Sequence, residues 1–256
     1  MNGLLAGHLA AVTGGASGIG RAIAAGYAAQ GAEVVILDAN ADAAAVVCRE
    51  IAGTGRKAHS MALDVRDRAM CAEVARQVGR TIGTVSILVN SAGINRRNPV
   101  TADREAVAGD WDDIMGVNLD GVFNVTHAFL EQLRERRGRV VNLGSIQSFM
   151  HVRWPNSVAY TASKHGVLGL TRALAAELGK DGVRVNAIGP GLIETPLNAQ
   201  TRANNPGVVQ SYLEHTPLGR TGKPEDIVGP AIFLASDLSA YVTGGIVLAD
   251  GGYRSI

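Results

Sequence analysis

Short runs of β-branched and leucine residues alternate along the chain with longer stretches in which apolar residues recur every three or four positions. Runs of the first kind predict buried strands, and the second spacing predicts amphipathic helices. The predicted strands are Leu9 to Val12, Glu33 to Leu37, Ala58 to Leu63, Ser86 to Asn90, Arg139 to Leu143, Val183 to Ile188 and Gly245 to Leu248. The predicted helices lie near residues 18–30, 42–53, 67–82, 111–136, 158–179 and 224–236.

The alternation predicts a single α/β domain over residues 1–256, built on a doubly wound parallel sheet with helices on both faces. Neither a linker nor a repeat divides the sequence. The region near 191–223 has no predicted strand and is rich in proline, asparagine and threonine. A region of that length inside a compact domain is commonly a lid over a site, so we expect it to cover a substrate.

Composition narrows the choice of partner. The 24 basic and 23 acidic residues give a formal net charge of +1, which leaves no basic footprint for nucleic acid or an anionic membrane and favours a small molecule. Cys48 and Cys71 form neither a Cys-x-x-Cys pair nor a cluster at metal-ligand spacing, so we expect reduced thiols and no metal. Because the sequence has no signal-peptide pattern and no membrane-length apolar run, we expect a cytoplasmic protein.

The first predicted strand leads into a glycine turn, Thr13-Gly14-Gly15-Ala16-Ser17-Gly18-Ile19-Gly20, which enters a helix. Glycines there let backbone N–H groups approach a pyrophosphate, although the same motif also serves as a plain tight turn. Asp38 follows the second strand, 20 residues after Gly18. A carboxylate at that place binds a ribose 2′-hydroxyl and repels a 2′-phosphate, or else acts as a cap or turn residue. We therefore expect NAD(H) to be favoured over NADP(H).

Tyr160 and Lys164 stand one turn apart on a predicted helix and share a face. Such a pair by itself is also a common surface coincidence. Further motifs follow in a fixed order along the chain: the glycine turn, Asp64-Val65, Asn90-Ser91-Ala92-Gly93, Asn118, Ser145, the Tyr160 and Lys164 pair, and Pro190-Gly191-Leu192-Ile193-Glu194-Thr195. Together these motifs resemble the short-chain dehydrogenase/reductase family over essentially the whole chain.

The resemblance implies a Rossmann fold of about seven parallel strands, a homotetramer, and hydride transfer between a nicotinamide cofactor and a secondary alcohol or ketone. It implies that Tyr160 is the acid-base residue and that Lys164 favours its phenolate and binds the nicotinamide ribose. Ser145 would hydrogen-bond the substrate oxygen, and Asn118 would support Lys164 through water. The cofactor-binding residues it implies are Gly14, Ser17, Gly18, Ile19, Gly20, Asp38, Asp64, Val65, Asn90, Ala92, Gly93, Tyr160, Lys164, Pro190, Gly191, Ile193 and Thr195.

Two departures from the family pattern bear on these expectations. Position 91 is Ser where a second Asn is usual, and we expect little effect because the backbone carries that turn. Ser145 precedes Tyr160 by 15 residues, more than is common in the family, which implies an enlarged substrate loop.

Polar residues near the expected site indicate which class of substrate it would bind. The candidates are Arg96, Arg97, Gln147, Arg153 and Trp154. The arginine pair after the Asn-Ser-Ala-Gly-Ile turn and the Ser-Ile-Gln-Ser sequence resemble the gluconate 5-dehydrogenase and 2-deoxy-gluconate 3-dehydrogenase branch. Guanidinium groups bind a sugar-acid carboxylate bidentately, although exposed arginines are as commonly just solvated. A sugar acid or polyol is thus expected. The alternatives are a 3-oxoacyl-thioester (acyl carrier protein) reductase and a catalytically silent cofactor-binding regulatory protein.

Overall fold

The computed structural model describes residues 3–152 and 157–256. Within those residues, seven strands form one sheet in the order β3-β2-β1-β4-β5-β6-β7, and every neighbouring pair is parallel. The strands are β1 (Leu9–Thr13), β2 (Glu33–Asp38), β3 (Ala58–Ala62), β4 (Ile87–Asn90), β5 (Arg139–Leu143), β6 (Arg184–Pro190) and β7 (Ile246–Ala249). The predicted parallel sheet is confirmed, and each predicted strand lies within two residues of the observed one.

Helices cover both faces of the sheet. They are α1 (Gly18–Ala29), α2 (Ala41–Gly53), α3 (Arg68–Thr81), α4 (Arg104–Met115), α5 (Gly121–Ala128), α6 (Leu130–Glu135), α7 (Val158–Leu178), α8 (Ala199–Asn204), α9 (Pro206–Glu214) and α10 (Pro224–Ala235). Successive residues of a strand point to opposite faces. Accordingly Ala10 packs in one buried cluster with Ile23 and Ile227, and Ala11 packs in the other with Val125.

The strand order reverses between β1 and β4, which pair directly although β2 and β3 come between them in the chain. In open α/β sheets the crevice for a ligand lies at the carboxyl ends of the strands at such a reversal. The fold therefore points the ends of β1, β4 and β5 toward one cleft.

The predicted helix over 111–136 is wrong in its start and its continuity. It begins at Arg104, because the Asp103 carboxylate caps it by accepting hydrogen bonds from two first-turn N–H groups. It is interrupted by a π-helical turn over Gly116–Asp120 and again at Phe129, between α5 and α6. The first turns of α4 are mostly exposed and have Val107 as their one large apolar residue, so no apolar repeat marks them in the sequence.

The 191–223 segment contains two helices, α8 and α9, and a single bridge between Ile193 and Gly222. Tyr212 of α9 stacks on Tyr253, with 4.2 Å between the ring centroids. The segment is therefore packed against the last residues of the chain and beside the end of β6.

No helix in the described ranges has the length and apolar character needed to cross a membrane. Among the same residues, no group of three or more His, Cys, Asp or Glu side chains is arranged to hold a metal ion. Cys48 and Cys71 are free thiols. A cytoplasmic location stays a prediction from the sequence.

Candidate active site

The glycine turn between β1 and α1 forms one wall of the cleft. Gly14 and Gly18 have φ of +62° and +50°, a region that disfavours side chains. A Cβ on Gly20 would lie 2.2 Å from the Gly14 carbonyl oxygen. The side chain of Ser17, the N-cap of α1, makes no capping hydrogen bond, so the first N–H groups of α1 are left for another acceptor. This cradle suits a pyrophosphate.

The cleft encloses about 490 Å³ at the carboxyl ends of the strands. Of the predicted cofactor residues, those that line it are Gly14, Ser17, Gly18, Ile19, Gly20, Asp38, Asp64, Val65, Ala92, Gly93, Tyr160, Lys164, Pro190, Gly191, Ile193 and Thr195. The glycine cradle at one end and the Tyr160 and Lys164 pair at the other fit an elongated dinucleotide.

Asn90 is the predicted cofactor residue that lies beneath the cleft instead of on its wall. It is buried, and its amide donates hydrogen bonds to Thr126 Oγ1 (3.0 Å) and Asn142 Oδ1 (2.9 Å). The following residue, Ser91, donates its backbone N–H to Thr13 Oγ1 at 3.1 Å. The backbone therefore carries this turn, as we expected from the replacement of the usual Asn by Ser91.

Asp38 ends β2 at the mouth of the cleft. Its two carboxylate oxygens accept hydrogen bonds from the backbone N–H groups of Ala16 (3.1 Å) and Asn40 (3.0 Å). The helix that follows is capped by Asn40, whose side chain accepts from Ala43 N. Asp38 is therefore not the cap of α2, and its carboxylate is held against the glycine turn, where a ribose would lie.

The wall of the cleft at Asp64 carries two further charged side chains, Arg66 and Asp113, that the sequence did not single out. Arg66 donates to Asp64 from Nε (3.0 Å to Oδ1) and from Nη2 (2.7 Å to Oδ2), and this contact lowers the pKa of the Asp64 carboxyl. Arg66 also lies 3.7 Å from Asp113 of α4. The Asp-Val-Arg spacing at 64–66 is a usable signal for the first contact, but Asp113 comes from a distant helix.

Helix α7 presents Tyr160 and Lys164 to the cleft. Ser157 caps the helix by accepting a hydrogen bond from Tyr160 N at 3.2 Å. The Lys164 ammonium lies 5.6 Å from the centroid of the Tyr160 ring and donates to the Leu143 carbonyl at 2.7 Å. Ser145 stands just after β5, so three of the four predicted catalytic side chains, Ser145, Tyr160 and Lys164, line the same cleft.

Asn118 lies within the π-helical turn and is fully buried. Its amide accepts from Ile94 N at 2.8 Å and donates to Ile94 O at 2.9 Å. It also donates to Ser163 Oγ at 3.3 Å. The Asn118 side chain thus ties the loop after β4 to α7, and its support of Lys164 through water stays a prediction.

Burial and nearby charges tune the two titratable groups. Burial raises the pKa of the Tyr160 phenol, while a hydrogen bond with Ser145 and the charge of Arg97 act to lower it. Burial lowers the pKa of the Lys164 ammonium to about 8. Arg97 is thus a second cation whose charge favours the Tyr160 phenolate, and the expected help of Lys164 stays a prediction.

Replacing Arg97 with Met is expected to shift the pH profile of alcohol oxidation. Oxidation needs the Tyr160 phenolate to accept a proton, so its rate rises with pH through the Tyr160 pKa. Removing the Arg97 charge raises that pKa further, which moves the rising limb of kcat to higher pH. Arg97→Lys keeps the charge and should keep the limb near its original position. An unmoved limb in Arg97→Met would contradict this electrostatic role.

The two neighbouring arginines separate in the structure. Arg96 is exposed and forms an ion pair with Asp113 at 3.3 Å, on the side of the cleft near Arg66. Arg97 is partly buried, and its charge acts on Tyr160. Gln147 is buried two residues after Ser145. The remaining substrate candidates, Arg153 and Trp154, lie outside the described residues.

The class of protein is defined by the glycine cradle, the Asp38 carboxylate and the Tyr160 and Lys164 pair, which together line one cleft. It is an oxidoreductase that uses a nicotinamide dinucleotide. The family model for enoyl-(acyl carrier protein) reductase matches residues 14–254. Galactitol 2-dehydrogenase (L-tagatose-forming) of Cereibacter sphaeroides is 42% identical and covers 97% of this chain and 96% of its own. The chain belongs to the short-chain dehydrogenase/reductase family.

Two further relatives show that proteins named for different activities are similar to this chain. The 3-oxoacyl-[acyl-carrier-protein] reductase of Thermotoga maritima is 38% identical over 97% of this chain and 98% of its own. The crystal structure of gluconate 5-dehydrogenase from Burkholderia cenocepacia, in complex with NADP and tartrate, has a TM-score of 0.92 and 36% identity, and covers 98% and 96% of the two chains. The likeness to the gluconate 5-dehydrogenase branch is confirmed.

Proposed function

We propose that this enzyme oxidises a secondary hydroxyl group of a sugar acid, or reduces the corresponding ketone, at Tyr160. The observation that carries the proposal is the partly buried Arg97, whose charge acts on the Tyr160 phenol. A substrate hydroxyl that meets Tyr160 therefore lies beside a guanidinium, which binds carboxylates bidentately. The tartrate in the Burkholderia cenocepacia enzyme is itself a hydroxy acid, which supports a carboxylate ligand in this fold.

The residues at the end of the cleft have separate tasks. Ser145 would donate a hydrogen bond to the substrate oxygen and fix its position beside Tyr160. Tyr160 takes the hydroxyl proton during oxidation and returns it during reduction. Lys164 would hold the ribose hydroxyls next to the nicotinamide. A bound nicotinamide ring would supply the hydride acceptor for the carbinol carbon.

A panel of matched acid and neutral substrates tests this function. We expect kcat/KM for an aldonate to exceed that for the alditol of the same length by at least about tenfold, because a charge-assisted hydrogen bond contributes about 1.5–3 kcal/mol. Arg97→Met should remove this difference by raising KM for the aldonate. Equal activity on both members of every pair would contradict the proposal of an acidic substrate. It would favour a polyol, the substrate class in the name of the Cereibacter sphaeroides relative.

We also propose a preference for NAD(H), which the Asp38 carboxylate supports. It is fixed by Ala16 N and Asn40 N at the mouth of the cleft, where a 2′-phosphate would meet its negative charge. The Burkholderia cenocepacia structure contains NADP, so the cofactor preference of this enzyme has to be measured. We expect Asp38→Ala to lower the NAD-to-NADP ratio of kcat/KM at least about tenfold, since opposed like charges cost several kcal/mol. A wild-type enzyme faster with NADP would overturn the preference.

The other candidate function is reduction of a 3-oxoacyl thioester, which the Thermotoga maritima relative favours. Turnover of acetoacetyl thioesters that exceeds turnover of every sugar acid in the panel would establish it. A catalytically silent regulatory protein is the weaker proposal, because Ser145, Tyr160 and Lys164 all stand in the cleft. Tight cofactor binding without any turnover would establish that alternative.

We further propose that the 191–223 segment acts as the lid and that the chain forms a homotetramer. The lid is supported by Pro196, Leu197 and Asn198, which line the cleft beside Thr195. The oligomer is supported by exposed apolar side chains, among them Trp111 on α4 and Phe123 on α5, since such side chains are suited to burial between subunits. The mass of the protein in solution tests the second point.

A further inference from the structure

The last residues of the chain form a short turn whose backbone is held by one carboxylate. Gly252 has a φ of +86°, a conformation that favours glycine, and leads into a 3₁₀ helix over Tyr253–Ser255. The Asp250 carboxylate accepts hydrogen bonds from Gly252 N at 3.0 Å and from Arg254 N at 3.1 Å. This turn therefore fixes the positions from which the Tyr253 and Arg254 side chains extend.

Tyr253 contacts the helix α9 of the 191–223 segment. Its ring stacks on that of Tyr212, with 4.2 Å between the centroids, and the His215 ring packs edge-on with it at 4.8 Å. Tyr212 in turn reaches the cleft wall, because a Cβ on Gly191 would lie 3.1 Å from the Tyr212 hydroxyl oxygen and Gly191 lines the cleft. One side chain thus separates Tyr253 from the cleft wall.

Arg254 contacts a second element, the turn that follows Ser145. Its guanidinium carbon lies 4.1 Å from the centroid of the Phe149 ring, which is a cation–π contact. Phe149 ends the 3₁₀ turn Ile146–Ser148, and the cap of that turn is Ser145, which lines the cleft. Two neighbouring side chains at the end of the chain therefore contact two separate walls of the cleft.

The helix α9 has few contacts of its own to hold it in place. Of its described residues none is buried, and no side-chain hydrogen bond caps its start. Elements with little buried surface open readily, so the stack of Tyr212 on Tyr253 is a substantial part of what holds α9. Stacked aromatic pairs stabilise beyond the area that they bury.

We propose that Tyr253 and Arg254 are positioning residues that clamp α9 and the turn after Ser145 in one arrangement, so that the end of the chain sets the affinity for the substrate. The inference rests on the proposed role of the 191–223 segment as the lid, and it adds the residues that hold this lid. Neither Tyr253 nor Arg254 is among the described residues that line the cleft, so each acts through the ring that it contacts.

Steady-state kinetics of Arg254→Ala test the effect on the substrate. The substrate is D-gluconate, D-glucitol or an acetoacetyl thioester, whichever the wild type turns over fastest, so the test does not require an acid. We expect its KM to rise about fivefold, the equilibrium equivalent of one exposed cation–π contact, while kcat and the cofactor KM stay within about twofold.

Conservative and double variants separate this role from a loss of fold. Arg254→Lys keeps a cation for the Phe149 ring and should keep the KM, and Arg49→Ala, exposed on α2, is the matched control. Adding Phe149→Leu to Arg254→Ala should raise the KM no further, because the two side chains act through one contact. An unchanged KM in Arg254→Ala, or additive effects in the double variant, would overturn the proposal.

Hydrogen–deuterium exchange of the full chain measures the clamp without any substrate. In Arg254→Ala we expect faster exchange in peptides that cover 146–149 and also in those that cover α9, because both contacts come from one turn. Tyr253→Leu should accelerate the same two regions, and Tyr253→Phe, which keeps the stacked ring, should accelerate neither. Faster exchange confined to the element that each variant contacts would overturn the clamp. Coupled exchange in a protein that turns over none of the three substrates would contradict the proposed function and retain the clamp.

Discussion

Tyr160→Phe is expected to lower kcat for alcohol oxidation by about 10²- to 10⁴-fold, the usual contribution of a positioned acid-base group. The substitution removes one hydroxyl and leaves the ring that packs 5.6 Å from the Lys164 ammonium. Cofactor affinity should stay close to that of the wild type, because the glycine cradle and Asp38 are untouched. Initial rates and quenching of cofactor fluorescence measure the two properties separately.

A matched control for this substitution is Tyr241→Phe, since Tyr241 is fully exposed and far from the cleft lining. It should keep wild-type kinetics. If Tyr160→Phe also turned over at the wild-type rate, the proton would have to leave through another group, and the assignment of Tyr160 would be wrong. If it lost cofactor binding as well, its effect would be structural.

Lys164→Met is expected to abolish most activity and yet to stabilise the fold at neutral pH. Burial lowers the pKa of Lys164 from 10.5 to about 8, so the unfolded chain holds this proton more tightly than the folded chain. The charged form therefore destabilises the fold at neutral pH, by about 3 kcal/mol for a shift of this size. Lys164→Met removes this destabilisation. It also removes the hydrogen bond to the Leu143 carbonyl, which offsets about 1–3 kcal/mol of the stability gained.

The pH dependence of stability isolates this effect. Between pH 8 and 10.5 the unfolded chain keeps the proton that the folded chain has lost, so wild-type stability gains with rising pH relative to Lys164→Met. Denaturant unfolding across this range measures the difference, with exposed Lys180→Met as the control. A constant difference between wild type and Lys164→Met would contradict the buried, destabilising ammonium.

For activity, the same substitution should reduce kcat/KM at least about 10²-fold, because we propose that Lys164 holds the cofactor ribose and supports Tyr160. The combination of lost activity with unimpaired folding at neutral pH distinguishes a functional lysine from a structural one. A Lys164→Met protein that is inactive only because it unfolds would not support the proposed role.

The sequence was sufficient for the sheet because buried parallel strands have a simple signature: short apolar runs separated by helical repeats. The glycine turn and Asp38 were also predictable, since their spacing is fixed by the length of one helix and one strand. The π-helical turn at Asn118 was not predictable. The turn is followed by Gly121, where a Cβ would lie 2.5 Å from Val65 Cγ2, and no local pattern encodes that contact.

The substrate end of the cleft shows the same limit on what the sequence can predict. Arg96 and Arg97 are adjacent in the chain, yet one pairs with Asp113 and the other acts on Tyr160. Which of them faces the phenol depends on how a loop lies against α4 and α7, and a loop has no periodicity to read. Likewise Thr161 is visible beside Tyr160, but its hydrogen bond to Gln147 joins residues that only the fold brings together.

Label transfer from a deuterated substrate shows whether a hydride passes from the substrate to the nicotinamide. The enzyme would be given an aldonate deuterated at its carbinol carbons together with oxidised cofactor, and both products would be analysed by mass spectrometry. We expect that one deuterium is transferred as deuteride to the nicotinamide, that one carbinol carbon becomes a ketone, and that Tyr160→Phe slows both changes equally. Deuterium found in water, with none in the nicotinamide, would contradict hydride transfer at this site.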